Sequence, residues 1–146
     1  MTTTTSDMEA LVFRGPGDAE ITRRAVPSVE EGEILVAVKY AAVCGTDVRI
    51  LSGTKRVPTP RILGHEFAGE IVEVGDGVQG FRPGDRVTVY PMIACGHCHV
   101  CLAGRPNICV NRVTIGYEID GGFAGFLKVP KAAVERGNVL SIPPGV

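Results

Sequence analysis

The sequence predicts a mainly β domain, a partly open barrel of short strands with few short helices and one metal-tied loop. Three observations point there. First, 19 glycines and 10 prolines fall singly or in pairs between short apolar runs, a spacing that means many tight turns and no low-complexity block. Second, those runs either alternate or are wholly apolar over strand-like lengths, and no long amphipathic helix is visible. Third, of five cysteines, four crowd into residues 95–109. An odd cysteine count without a secretory signal favours metal ligation by thiolates over a disulfide scaffold.

Along the chain, residues 1–7 (MTTTTSD) form a polar tail, and the domain is expected to span residues 8–146. Glu9 to Arg14 and Glu20 to Arg24 read as edge strands around a Gly15-Pro16-Gly17 turn. Glu33 to Val43 is the longest β-like stretch and runs directly into Cys44. Thr46 to Leu51 suits a single helical turn. Phe67 to Val74 alternates as a strand does, and Arg86 to Tyr90 follows a Pro83-Gly84 turn as another. Residues 91–113 lack periodicity and hold the four cysteines. Phe123 to Val129 is the last strand predicted, and no helix begins before Val146.

Composition excludes several function classes. The net charge of −1 supplies no basic field for phosphate backbones or anionic membranes. Aromatic residues make up 5%, with no Trp, so base-stacking platforms are not expected. No apolar run approaches the length of a membrane span, and the polar N-terminus has neither the basic nor the apolar region of a signal peptide. A cytoplasmic location is therefore expected, with no nucleic-acid or membrane partner.

The strongest motif is Cys95-x2-Cys98-x2-Cys101-x7-Cys109. Thiolates this close let one short loop wrap a single tetrahedral zinc and close all four positions, which makes the site structural. A bacterial-type iron–sulfur run would place its last cysteine closer and follow it with Pro, whereas Val110 follows Cys109. His97 and His99 each neighbour a better-placed cysteine and are expected to face solvent. A second constellation joins Cys44-Gly45-Thr46-Asp47 to Gly64-His65-Glu66. A lone Cys is commonly a small buried hydrophobe. Here, however, Cys44 ends a β run and His65 precedes one, so their side chains can converge as donors of an open, catalytic zinc site. Asp47 and Glu66 are then candidate carboxylates for orienting the histidine. By contrast, Gly75-Asp76-Gly77-Val78-Gln79-Gly80 fits the dinucleotide fingerprint only on paper. The fingerprint needs a helix to begin there, and Phe81-Arg82-Pro83-Gly84-Asp85 turns instead.

The C-G-T-D segment, GHEFAGEIVEVGDGV, the FRPGDRV turn, the four-cysteine loop and GGFAGFLKVP occur in a specific order. In this the chain resembles the zinc-dependent, medium-chain alcohol and polyol dehydrogenases over nearly everything after Met8. The resemblance implies a GroES-like barrel domain whose partner, a Rossmann domain binding NAD or NADP, is absent from this chain. It implies a structural zinc on Cys95, Cys98, Cys101 and Cys109, and a catalytic zinc on Cys44, His65 and a further ligand beyond Val146. Thr46 takes the role of the hydroxyl that passes the substrate proton, Asp47 of the carboxylate that holds His65, and Glu66 of the acid lying behind the metal.

The expected activity is hydride transfer from a secondary alcohol or polyol to NAD(P) by a homo-oligomeric full-length enzyme, with this chain alone inactive. Two departures stand out. Arg49 occupies a position where many relatives carry a relay histidine, and arginine stays protonated there; Gly125 stands where an acidic residue is common. The alternative expectation is a zinc-stabilised GroES-like binding module without catalytic activity.

Overall fold

The structure, a computed structural model, describes residues 7–146. Most of the expected polar tail, residues 1–6, therefore lies outside the described residues. Asp7, expected within that tail, is already the first residue of strand β1 (Asp7–Gly15), where it pairs with Ala25 of β2 (Asp18–Ala25). The two strands form an antiparallel hairpin around Gly17, whose φ of 74° suits a residue without a side chain. Only β2 is an edge. β1 is flanked on its other side by the two-residue β4 (Arg61–Ile62), which corrects the expectation that both hairpin strands are edges.

The larger sheet has five strands in the order β10-β6-β5-β3-β9. These are β3 (Ile34–Ala42), β5 (Glu66–Val74), β6 (Arg86–Val89), β9 (Phe126–Val129) and β10 (Val139–Ser141). Ile34, Leu35, Val36 and Ala37 are buried in succession because β5 and β9 pair with β3 on both sides there. β5 instead alternates, with Phe67, Gly69 and Ile71 facing inward. The main core gathers Ile34, Val36, Ile71, Val87, Leu127 and Val129 with their neighbours. Burying each large aliphatic side chain stabilises the fold by roughly 1.5–3 kcal/mol.

Several element expectations need correction. The regular ladder of β9 begins at Phe126, three residues later than expected. The preceding segment instead stitches the two sheets together: the Leu11 N–H donates to Phe123 O, the Gly125 N–H to Glu9 O, and the Val38 N–H to Gly125 O. Nor is β9 the last strand. A short helix, α3 (Lys131–Glu135), follows it, and β10 then pairs with β6. These pieces are too short for periodicity to reveal them. The stretch 91–113 also holds local structure: β7 (Met92–Ile93), α2 (His99–Leu102) and a 3₁₀ turn at Pro106–Ile108, while β8 (Val113–Thr114) closes it by pairing with β7. Residues 75–85 join β5 to β6 through turns without a helix.

The remaining helix, α1 (Gly45–Leu51), caps a small cluster of Phe13, Ile50 and Leu63, against which Tyr117 and Phe123 pack. This cluster ties α1 to the segment carrying His65. No helix of the described residues is long and apolar enough to cross a membrane.

Candidate metal centres

Cys44 is the residue at which β3 hands the chain to α1. Its extended backbone makes it the helix N-cap, and the Thr46 N–H points at its Sγ from 3.5 Å. Asp47 answers from the helix: its Oδ2 accepts the Cys44 N–H at 2.9 Å. This reciprocal box fixes the direction of the Cys44 side chain through the same bonds that start the helix. The Thr46 hydroxyl lies 3.7 Å from Cys44 Sγ.

His65 arrives on the opposite side, immediately before β5. Its buried Nδ1 faces the other oxygen of Asp47, Oδ1, at 3.5 Å. These two buried atoms have no other hydrogen-bond partner, so Asp47 carboxylate and imidazole are matched to each other. With Nδ1 turned to a carboxylate, the lone pair of the ring belongs on Nε2. That nitrogen looks toward Glu66 Oε1 at 3.9 Å and toward the Tyr117 hydroxyl at 3.4 Å. One donor atom from each of Cys44, His65 and Glu66 lies within 4.8 Å of the others. A soft thiolate, an oriented imidazole and a carboxylate form a donor set suited to zinc. Cys44 is half-buried and Glu66 exposed, so the cluster opens to the surface and leaves room for a further ligand.

The structure thus brings together all five residues singled out around Cys44 and His65, with a Glu66 oxygen among the converging donor atoms. Sequence reasoning missed Tyr117 and Lys55. Tyr117 packs its ring against His65, with centroids 5.0 Å apart, and the Lys55 Nζ sits 3.5 Å from the centre of the Tyr117 ring. Burial pushes the Tyr117 phenol above its ordinary range, and the neighbouring Thr46 hydroxyl acts against that shift. Tyr117 reaches this position because Gly116 abuts Gly64. A Cβ on Gly116 would meet Gly64 O at 2.6 Å, and its φ of 84° is itself one that side-chain-bearing residues rarely adopt. Nothing local in the sequence links residue 117 to residue 65.

The second cluster is Cys95, Cys98, Cys101 and Cys109, with all four sulfurs mutually within 4.8 Å and none in a disulfide. A tetrahedral zinc with metal–sulfur bonds near 2.3 Å requires sulfurs about 3.8 Å apart. The Cys98–Cys109 separation is 3.8 Å and the Cys98–Cys101 separation 3.4 Å. Backbone amides already point at the sulfurs: the Cys95 N–H at Cys109 Sγ from 3.2 Å, and the Cys98 N–H at Cys95 Sγ from 3.3 Å. The Cys101 amide above all, with that of Val110, holds the Cys98 thiol below its ordinary range. Burial, reinforced by the neighbouring Cys98, pushes Cys101 above it. A cation would release that proton, since zinc-bound cysteines are thiolates. His97 and His99 are exposed; the Nδ1 of His97 meets the Cys95 carbonyl at 2.9 Å.

Surface clefts also occur away from the Cys44 and His65 cluster. One of about 350 Å³, lined by Met8, Arg61, Leu127 and others, includes none of Cys44, His65 and Glu66.

Comparison with known proteins shows the family to which this fold belongs. Residues 30–139 match the alcohol dehydrogenase GroES-like domain family. The chain is 40% identical over 141 residues to L-threonine 3-dehydrogenase of Burkholderia mallei, covering 94% of this chain and 39% of that protein. Among solved structures, a short chain alcohol dehydrogenase (rspB) of Escherichia coli CFT073, complexed with NADH, superposes with a TM-score of 0.86 at 39% identity. That match covers 97% of this chain and 40% of the other. A cobalt- and zinc-bound thermostable alcohol dehydrogenase of Pyrobaculum aerophilum gives a TM-score of 0.80 at 35% identity, covering 92% of this chain and 41% of its own. The chain spans about two fifths of the length of the curated relatives it matches.

Proposed function

Because the chain belongs to the alcohol dehydrogenase GroES-like domain family, we propose that it is the catalytic domain of a zinc-dependent dehydrogenase that moves hydride from a secondary alcohol or polyol to NAD or NADP. The observation that carries this is the convergence of Cys44, His65 and Glu66 beside the hydroxyls of Thr46 and Tyr117. A purely structural zinc module needs the four-cysteine loop and has no use for a second, open donor set.

Cys44, His65 and Glu66 would hold the catalytic zinc, and Cys95, Cys98, Cys101 and Cys109 the structural one. Zinc in the open site supplies Lewis acidity that lowers the pKa of an alcohol. Asp47 keeps the His65 ring in one orientation and one tautomer, with Nε2 free to donate. Thr46, beside Cys44, takes up the alcohol's proton at Oγ1 and returns its own to solvent or to the Tyr117 hydroxyl. Arg49, exposed on α1, takes no part in that transfer because a guanidinium does not act as a base. The nicotinamide would be held by a further domain, as in the full-length relatives, and the hydride chemistry belongs to it. Exposed apolar side chains at Tyr40, Val43 and Val48, beside Cys44, offer a surface for such a domain to cover. The complete enzyme is expected to be a homo-oligomer.

Metal content is the test. After dialysis against a weak chelator, the purified chain should keep about two zinc ions, one at each cluster. Cys44→Ser should remove one while leaving the fold intact. A single zinc in the parent chain, unchanged by Cys44→Ser, would refute an open site on this domain. Joined to its nucleotide-binding domain, the protein should oxidise secondary alcohols or polyols with one of the two nicotinamides; no turnover with either would end the assignment.

A further inference from the structure

Beside the open donor cluster, one cation is held in place without an acidic partner. The Lys55 Nζ lies over the face of Tyr117, whose hydroxyl touches His65. Its backbone is pinned: the Lys55 N–H, the Thr54 hydroxyl and the Ser52 hydroxyl all donate to the carbonyl of Arg49, at 2.9, 3.1 and 3.2 Å. The loop after α1 is thereby locked, and Lys55 with it.

Charges of both signs surround this ammonium. Arg49 and Arg112 lie within electrostatic range, as do Glu118 and Asp47. Asp47, however, is buried and committed to Cys44 and His65. The Oε2 of Glu118 accepts the Thr114 N–H at 2.7 Å. Among the described residues no carboxylate comes within ion-pair distance of Lys55. Partial burial above all lowers the pKa of Lys55 from its ordinary value, with Glu118 opposing the shift and the two arginines adding to it. The aromatic face shields one side of the ammonium and leaves its remaining N–H groups pointing away from the ring. An ammonium seated on an aromatic face, with no carboxylate at ion-pair distance, is free to donate charge-assisted hydrogen bonds to an anion.

We propose that Lys55, seated on Tyr117 beside His65, anchors an anion subsite, so that the alcohol oxidised carries a carboxylate or phosphate close to its hydroxyl-bearing carbon. This rests on the dehydrogenase assignment above for the alcohol, and on the chain's own residues for the anion. Arg49 and Arg112 lie nearby but are offset by Glu118 and Asp47, so the selectivity rests on Lys55 itself. With no charge to meet Lys55, uncharged polyols are the poorer ligands.

The test uses matched pairs: glycerol 3-phosphate against glycerol, and lactate against 1,2-propanediol. Binding is read from the NMR signals of the Tyr117 ring and the Lys55 side chain in the zinc-loaded chain, and again after metal removal. At low salt the anionic member of at least one pair should bind about tenfold or more tightly, since a charge-assisted bond of this kind is roughly twice as strong as a neutral one. Whichever pair shows it identifies carboxylate or phosphate. Lys55→Met should bring that ratio to within about twofold, and Lys55→Arg should retain most of it. Equal binding of both members in both pairs, or a ratio untouched by Lys55→Met, overturns the proposal. So does inorganic phosphate binding as tightly as glycerol 3-phosphate in the zinc-loaded chain, because the alcohol would then add nothing. A chain that binds no metal at Cys44 but keeps the Lys55-dependent anion preference would sink the dehydrogenase assignment and leave the subsite standing.

Discussion

Asp47 has two tasks that a single substitution can separate. Its Oδ2 accepts the Cys44 N–H and so starts α1, while its Oδ1 orients the ring of His65. Asn retains an acceptor for the first task and loses the charge needed for the second. Asp47→Asn should therefore weaken metal binding at Cys44 and His65 by about 10–100-fold, as lost carboxylate support of a ligand histidine does, with little change in melting temperature. Asp47→Ala should lose both and cost about a further 1 kcal/mol of stability through the missing cap. Metal competition with a chromophoric chelator, paired with thermal melts, distinguishes the two. If Asn and Ala prove identical in both readouts, Asp47 is only a cap. Arg49 sits two residues further along the same helix, and its contribution is through its carbonyl, which holds the loop to Lys55. For Gly125 nothing in the structure demands a glycine: a Cβ there would meet only the Cβ of Met8, at an ordinary 3.5 Å.

The segment from β7 to β8 illustrates how an element without a core is stabilised. Its helical pieces, α2 and the 3₁₀ turn, are four and three residues long, too short to persist in water without other support. Leu102, Ile108 and Val110 are exposed, so hydrophobic burial does little here. What remains is the sulfur cluster and the amides aimed at it. Cys98→Ser should accordingly lower the melting temperature by several degrees and release one zinc, because metal binding in such a loop contributes to folding free energy directly. Unchanged stability and unchanged zinc content in that variant would contradict a structural role. Acid should act in the same direction, since ligands that must be thiolates release the metal as they protonate.

Across the whole molecule, the five-stranded sheet carries the Cys44 and His65 cluster at the ends of β3 and β5, while the four-cysteine loop is closed by the separate pair β7 and β8. Ile71 is fully buried at its centre, on the strand that begins immediately after His65. Ile71→Ala should cost about 2–5 kcal/mol, read as a lower denaturant midpoint, while zinc content at saturating metal stays at the parent value. A variant that lost metal without losing stability would show that the sheet tunes the site rather than merely carrying it. The joining of the sheets matters equally. Phe123 and Gly125 bond to β1 on one side and β3 on the other, and Phe123 packs into the cluster beneath α1. The hairpin, the helix and the histidine segment are thereby held in one relation.

Much of this was legible in one dimension, because the signals were local. Turn glycines, alternating strands such as β5, the entry of β3 into Cys44 and the spacing of four cysteines each depend on a few adjacent residues. Their chemistry is set by residue type and separation along the chain. The short elements β4, β7, β8, β10 and α3 were not legible, since two to five residues carry no periodicity and exist only through their partners. Nor was the surrounding of His65. The Asp47 carboxylate could be anticipated from its neighbours, but Tyr117 lies far from His65 in sequence and meets it where Gly116 folds against Gly64, and Lys55 meets the Tyr117 ring from a loop closed on Arg49. The candidate ligands, Glu66 as a donor excepted, were thus named from the sequence. The company those residues keep was decided by tertiary contacts, because electrostatic and packing forces act over ångströms in space and not over residues along the chain.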